Sequence, residues 1–172
     1  MLQPEAIPGQ AAAPESHEQP VTIERKNGMF LAPLGDATVL DNYLILKVKE
    51  ENFAANPRKL AAVRREVAQY EPAVDDLMRE HPELEALSKE LMGIHHQLWY
   101  IEDRKRAIER GEDPDSMIER LESPRNAEML REYLTLARQV SLFNDIRAQI
   151  KKRMNEITGS AIVEVKSHAT VG

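Results

Sequence analysis

The chain has 172 residues and a mass of 19.6 kDa, which bounds it to one domain with at most a tail. Charged residues make up 30% and aromatics 5%, a mixture that suits a helical protein better than a sandwich or barrel rich in β-branched and aromatic side chains. The absence of cysteine removes disulfides, thiolate zinc sites and any cysteine nucleophile, and a net charge of −6 argues against a broad electrostatic grip on nucleic acid.

Half of the ten prolines fall in the first 33 residues, and residues 1–20 are otherwise mostly Ala, Gln, Glu and Ser. That composition is too poor in apolar mass to offset the entropy of ordering, so 1–20 reads as a disordered tail. No basic residue precedes Arg25, and apolar runs such as Tyr43-Leu44-Ile45-Leu46 fall far short of the roughly 20 residues of a spanning helix. The expectation is a cytoplasmic protein without a membrane segment. Residues 21–35 read as a β-hairpin and linker, because Asn27-Gly28 separates two β-prone stretches and both residues tolerate positive φ. Residues 161–167, with Ile162-Val163-Glu164-Val165, offer a third strand to the same small appendage.

From residue 36 onward the apolar spacing turns helical. Val39, Leu40, Tyr43, Leu44 and Val48 predict a first helix over 37–52. Asn56-Pro57 reads as N-cap and first helical residue of a second, which continues through Leu60, Val63, Val67, Tyr70, Val74 and Leu77 past a bend at Pro72. Pro82 restarts a helix whose seam of Leu84, Leu87, Leu91, Ile94, Leu98, Ile101 and Ile108 is broken only by Lys105. Gly111 and Asp113-Pro114 end it, and Ser123-Pro124 caps a last helix carrying Met129, Tyr133, Leu136, Val140, Phe143, Ile150, Met154 and Ile157. That second seam is broken only by Arg147, and Gly159 is a natural stop. Two such seams joined by a connection of about 15 residues predict an antiparallel helical hairpin, hence an all-α helical bundle over residues 36–172.

The chain offers no Gly-rich phosphate loop, Ser-His-Asp signature or His-Glu-x-x-His motif, and His95 and His96 lack the upstream Glu of a di-iron bundle. No metal and no cofactor is expected. The basic clusters are interleaved with acids, so no nucleic-acid face emerges. The densest polar and aromatic stretch is His95 to Arg104, where His95, Trp99, Glu102 and Arg106 share one flank and His96, Tyr100 and Asp103 the other. The sharp reading is a functional surface with a carboxylate for acid–base work, an imidazole and an indole platform; the plain one is Trp99 at the seam edge with solvated charges around it, and spacing favours the plain one. Arg147 sits where the seam reserves an apolar place, so it must meet a carboxylate, reach water or bind an anion. The hairpin register with Ile108 facing Met129 points it at Glu90, and a shifted register at Glu102; a structural ion pair is the favoured outcome.

Three motifs carry a resemblance. Leu98-Trp99-Tyr100-Ile101-Glu102-Asp103-Arg104, then Phe143-Asn144-Asp145-Ile146-Arg147, then Gly159-Ser160-Ala161-Ile162-Val163-Glu164-Val165-Lys166-Ser167 resemble a family of small bacterial and phage proteins classed as a domain of unknown function. Its members carry Leu-Trp-x-Ile-Glu-Asp, Leu-Asn-Asp-x-Arg and a Gly-Ser-x-x-Val-Glu-x-Lys-Ser tail in this order. Leu40-Asp41-Asn42-Tyr43-Leu44-Ile45-Leu46-Lys47-Val48-Lys49 resembles an earlier family segment, with Asn42 in place of a lysine and Lys47 in place of a glutamate. The resemblance implies that Asp41, Trp99, Glu102, Asp103, Asn144, Arg147, Glu164 and Lys166 are signature positions, and it implies no reaction. Two functions are therefore expected in rivalry. One is a non-catalytic helical module that assembles with itself or a protein partner. The other is an enzyme or binder of a small anionic or sugar-nucleotide ligand, its site drawn from Trp99, Glu102, Asp103, Asn144, Arg147 and Lys166.

Overall fold

A computed structural model describes residues 24–26 and 29–162. Two units divide the chain, Met1–Pro33 and Leu34–Gly172. In the first, β1 (Glu24–Lys26) pairs antiparallel with β2 (Met29–Leu31) in the register Glu24↔Leu31, Arg25↔Phe30, Lys26↔Met29. The Asn27-Gly28 step, the tail 1–20 and most of the expected third strand lie outside the described residues.

The second unit is all-α. It comprises α1 (Asp36–Asn52), α2 (Pro57–Glu80), α3 (Leu84–Glu109), α4 (Pro114–Glu122) and α5 (Ala127–Thr158), with a 3₁₀ turn at Pro124–Asn126. Asn56 caps α2 by accepting from the Lys59 N–H at 3.1 Å, with Pro57 at the first helical position, where no N–H is needed. Helix α2 runs on through Pro72 to Glu80. Two expected starts are corrected. Pro82 lies in the turn before α3 rather than at its first residue, because Leu84 and Glu85 close that turn with bonds to the His81 and Pro82 carbonyls. Ser123-Pro124 opens the 3₁₀ turn and not α5 itself, which begins three residues later. The ends of α3 and α5 behave as composition suggests: Gly159 stops α5 at φ 66°, and Arg110 and Gly111 both take left-handed conformations after α3.

Pairings along the helices set their directions. Arg104–Glu132 and Arg153–Glu90 make α3 and α5 antiparallel, the expected hairpin. Asn42–Tyr70 and Arg64–Glu50 run α2 antiparallel to α1. Ala37–Asn155 and Asp41–Arg147 run α1 antiparallel to α5, so α1 lies parallel to α3. The main core gathers Leu40 and Leu44 of α1, Leu84 and Leu91 of α3, and Ile150 and Met154 of α5. A second cluster of Ile101, Ile108, Leu121 and Leu136 closes the far end under α4, with Met129 packed on it. There Arg120 donates to the Ile108 carbonyl at 2.6 Å and to Glu112 at 2.8 Å, satisfying the C-terminal end of α3 from a neighbouring helix.

The start of α1 is built onto the end of α5. The Asn155 side-chain oxygen accepts from the buried Ala37 N–H at 3.1 Å, and the Ser160 hydroxyl accepts from the Asp36 N–H at 3.2 Å. Gly35 just before α1 passes so close to the Ile162 carbonyl that a β-carbon there would collide with it. These contacts fix the height of α1 against α5, and with it the level of Asp41.

Candidate functional site

Asp41 follows Leu40 on the inward side of α1 and is 1% exposed. An ionised carboxylate at such a depth is costly unless it is paired and bonded. Arg147 of α5 supplies a two-pronged grip, with Nε donating to Oδ1 at 2.8 Å and Nη2 to Oδ2 at 2.6 Å. Lys151, one turn further along α5, brings its Nζ to 3.4 Å of Oδ2. From α3 the buried His95 places Nε2 3.1 Å from Oδ1, although its N–H is not aligned as a hydrogen bond, and Nδ1 has no hydrogen-bond partner among the described residues. Burial pushes the Asp41 carboxyl up, but the contacts with His95 and Arg147 and the charges of Arg147 and Lys151 outweigh it. The group is held well below the usual carboxylate range.

One anion thus ties together α1, α3 and α5. The expectation that Arg147 meets Glu90 or Glu102 is corrected. Glu90 is met instead by Arg153 at 3.8 Å, and Glu102 by Lys105 at 3.6 Å. The hairpin register alone could not supply the partner, because the carboxylate arrives from α1, on the other side of the seam. Lys105, the second interruption, keeps a half-buried stem in the seam and carries its ammonium to Glu102.

The residues singled out from sequence are held by different partners. Trp99 packs edge-on against Phe53 with ring centres 5.7 Å apart, and Lys59 lies 4.9 Å above the Phe53 ring. Trp99 therefore ties the α1–α2 turn to α3, although its buried Nε1 has no hydrogen-bond partner among the described residues. Asp103 is exposed and pairs with Arg106 at 3.0 Å within its own helix. The Asn144 amide donates to the Val140 carbonyl one turn back, at 3.0 Å. Lys166 and Glu164 lie outside the described residues.

Sequence reasoning singled out His95 but not its place beside Asp41, and it missed Lys151. Spacing put His95 on the Trp99 flank, yet it also stands four residues after Leu91 and three before Leu98, both seam positions, and that bracketing was the signal. Lys151 gave no such signal, since it stands in a Lys151-Lys152-Arg153 run that reads as solvated. Among the described residues no group of three His, Asp or Glu side chains is placed to hold a metal ion, and no helix is long and apolar enough to cross a membrane. No family model, curated protein or solved structure matches this chain.

A general base must reach its substrate, and Asp41 is enclosed on all sides by the three helices it joins. Such a carboxylate acts as a fixed negative charge. It sets which faces of α1, α3 and α5 meet, because any slip of one helix would leave ionised groups without these contacts.

Proposed function

We propose that the protein is a non-catalytic helical module that assembles with itself. The observation that carries this reading is the enclosure of Asp41 by Arg147, Lys151 and His95. Of the polar side chains that stood out in the sequence as chemical, Arg147 is spent on joining helices, and Glu102, Asp103 and Asn144 pair within their own helices. Arg147, the natural anion ligand of the rival pocket, uses both prongs on Asp41, and Asn144 bonds its own helix. The resemblance to small bacterial and phage proteins is consistent with this use, since Asp41 and Arg147 are both signature positions and both serve the tie. What is left for function is the outer surface of a stiff bundle, where large apolar side chains stand exposed at Tyr100, Ile118, Leu134 and Leu142. Light scattering of the full chain across a wide concentration range tests the proposal. The expected mass rises above 19.6 kDa toward a multiple of it. A mass of 19.6 kDa at every concentration overturns it.

A further inference from the structure

The α3–α5 hairpin has two sides. Helix α1 covers one, through His95, Arg147 and Lys151. On the other, Glu90 and Arg104 of α3 reach Arg153 and Glu132 of α5. Seven-residue spacing places Glu90, Gln97 and Arg104 in one row of α3, and Glu132, Gln139, Ile146 and Arg153 in one row of α5. Outside them run Ala86, Gly93, Tyr100 and Ala107 on α3, and Thr135, Leu142 and Gln149 on α5, with Glu128 and Glu156 at the two ends of that α5 row, all of them exposed. In a chain that is 30% charged, the middle of this face carries no charge, and its four corners carry two acids and two bases. Tyr100 is 63% exposed and Leu142 55%.

The order of residues along these rows is self-complementary. In α3, a half-turn centred between His96 and Gln97 exchanges Gly93 with Tyr100 and Ala86 with Ala107, and brings Glu90 to within one residue of Arg104. In α5, a half-turn centred at Leu142 exchanges Thr135 with Gln149 and, at the ends of that row, Glu128 with Glu156, and it brings Glu132 to within one residue of Arg153. The two centres lie at nearly one height, because the ion pairs that join the hairpin set Glu90 by Arg153 and Arg104 by Glu132, and each centre is within half a residue of the midpoint between them. One two-fold axis perpendicular to the helices therefore serves both rows.

We propose that this face is the self-association surface of the module, an isologous contact with α3 antiparallel on α3 and α5 antiparallel on α5 of a second copy. The inference rests on the self-assembly reading above and specifies its surface and symmetry. Tyr100 fills the gap left by the missing β-carbon of the second copy's Gly93, where, apart from its own helix backbone and chain neighbours, no described atom of the protomer comes within 4 Å of that position. Leu142 meets its own counterpart at the axis. Each corner acid faces a base, so the two ion pairs of each protomer become networks spanning the contact. The acid-to-base span on α3 is 14 residues, about 21 Å. Over the whole of α3 a face two helices wide offers ~800 Å² per protomer, the area of a standard specific interface.

Gly93→Leu is the decisive variant. In the protomer the new side chain points into open space and favours the helix; in the dimer it collides with the second copy's Tyr100. Sedimentation equilibrium is expected to show at least tenfold weaker association for Gly93→Leu and for Leu142→Glu, with the helical circular dichroism unchanged. Because the chain has no cysteine, the Gln97→Cys variant is expected to cross-link with its own copy through a short bis-maleimide. A wild-type oligomer whose association is untouched by Gly93→Leu and Leu142→Glu, together with a Gln97→Cys variant that does not cross-link, overturns this face while leaving self-assembly standing. A strictly monomeric wild type overturns self-assembly itself.

Discussion

At the scale of single residues, the enclosed Asp41 dominates. Removing its charge while keeping its shape, as in Asp41→Asn, leaves Arg147 and Lys151 facing an amide in the interior. Loss of one partner from a buried pair costs about 3–5 kcal/mol, and urea unfolding is expected to show a loss of that order. The pH dependence has a definite sign. The native carboxyl is held below its unfolded value, so the native state binds fewer protons, and the stability this group confers is complete above the unfolded value near 4. It is lost as pH falls below about 4 toward the depressed native value. Wild type is therefore expected to lose stability more steeply than Asp41→Asn in acid melts below about pH 4, and parallel curves for the two would refute the role. Little of this was legible beforehand. An aspartate beside Leu40 in an amphipathic helix reads equally well as rim or interior, and Arg147 could be recognised as out of place but not matched. Its partner is 106 residues away on a helix whose crossing no periodicity specifies.

The element scale was the most legible, because it depends on local rules. Apolar spacing gives α1, α2, α3 and α5, and Asn56-Pro57 and Gly159 mark boundaries through backbone needs that neighbouring residues cannot alter. The errors came where proline admits more than one local use. Pro82 and Pro124 both stand before helices, and each entered a turn of its own because the adjoining backbone closed shorter bonds first. The attachment of α1 to α5 was not visible, since the side chain that serves the α1 N-terminus is Asn155, 118 residues away. Asn155→Ala is expected to cost about 1–3 kcal/mol, since the buried Ala37 N–H is left without an acceptor. Asn155→Asp, which keeps an acceptor near the positive end of α1, should recover most of that loss. Equal thermal melting of the Ala and Asp variants would show that the cap is dispensable. The same contact gives a physical use to Ser160, whose hydroxyl serves the neighbouring N–H of Asp36.

At the scale of the molecule, the helices of the second unit are unequally tied. Helices α1, α3 and α5 share the main core and the Asp41 contacts, with Leu84, Leu91, Ala37 and Met154 at 0% exposure. Helix α2 buries only Val63, Val67 and Val74, and Pro72 removes one of its backbone donors. Helix α4 buries Leu121 alone. Opening α2 or α4 thus exposes little apolar surface, whereas opening α5 must break the carboxylate tie and both core clusters. Local opening free energies follow from such differences, and elements with few buried contacts exchange their amide hydrogens through partial unfolding rather than global unfolding. Native-state hydrogen exchange is expected to rank amides in the middle of α1, α3 and α5 as the slowest, close to the global unfolding limit. Those of α4 and of the second half of α2 should be faster by at least tenfold. Asp41→Asn should bring the slow set closer to the fast one, because it weakens the joint of the three inner helices and touches neither α2 nor α4. Uniform protection across all five helices would mean that the unit opens only as a whole, and that the Asp41 tie adds nothing beyond what the apolar core already enforces.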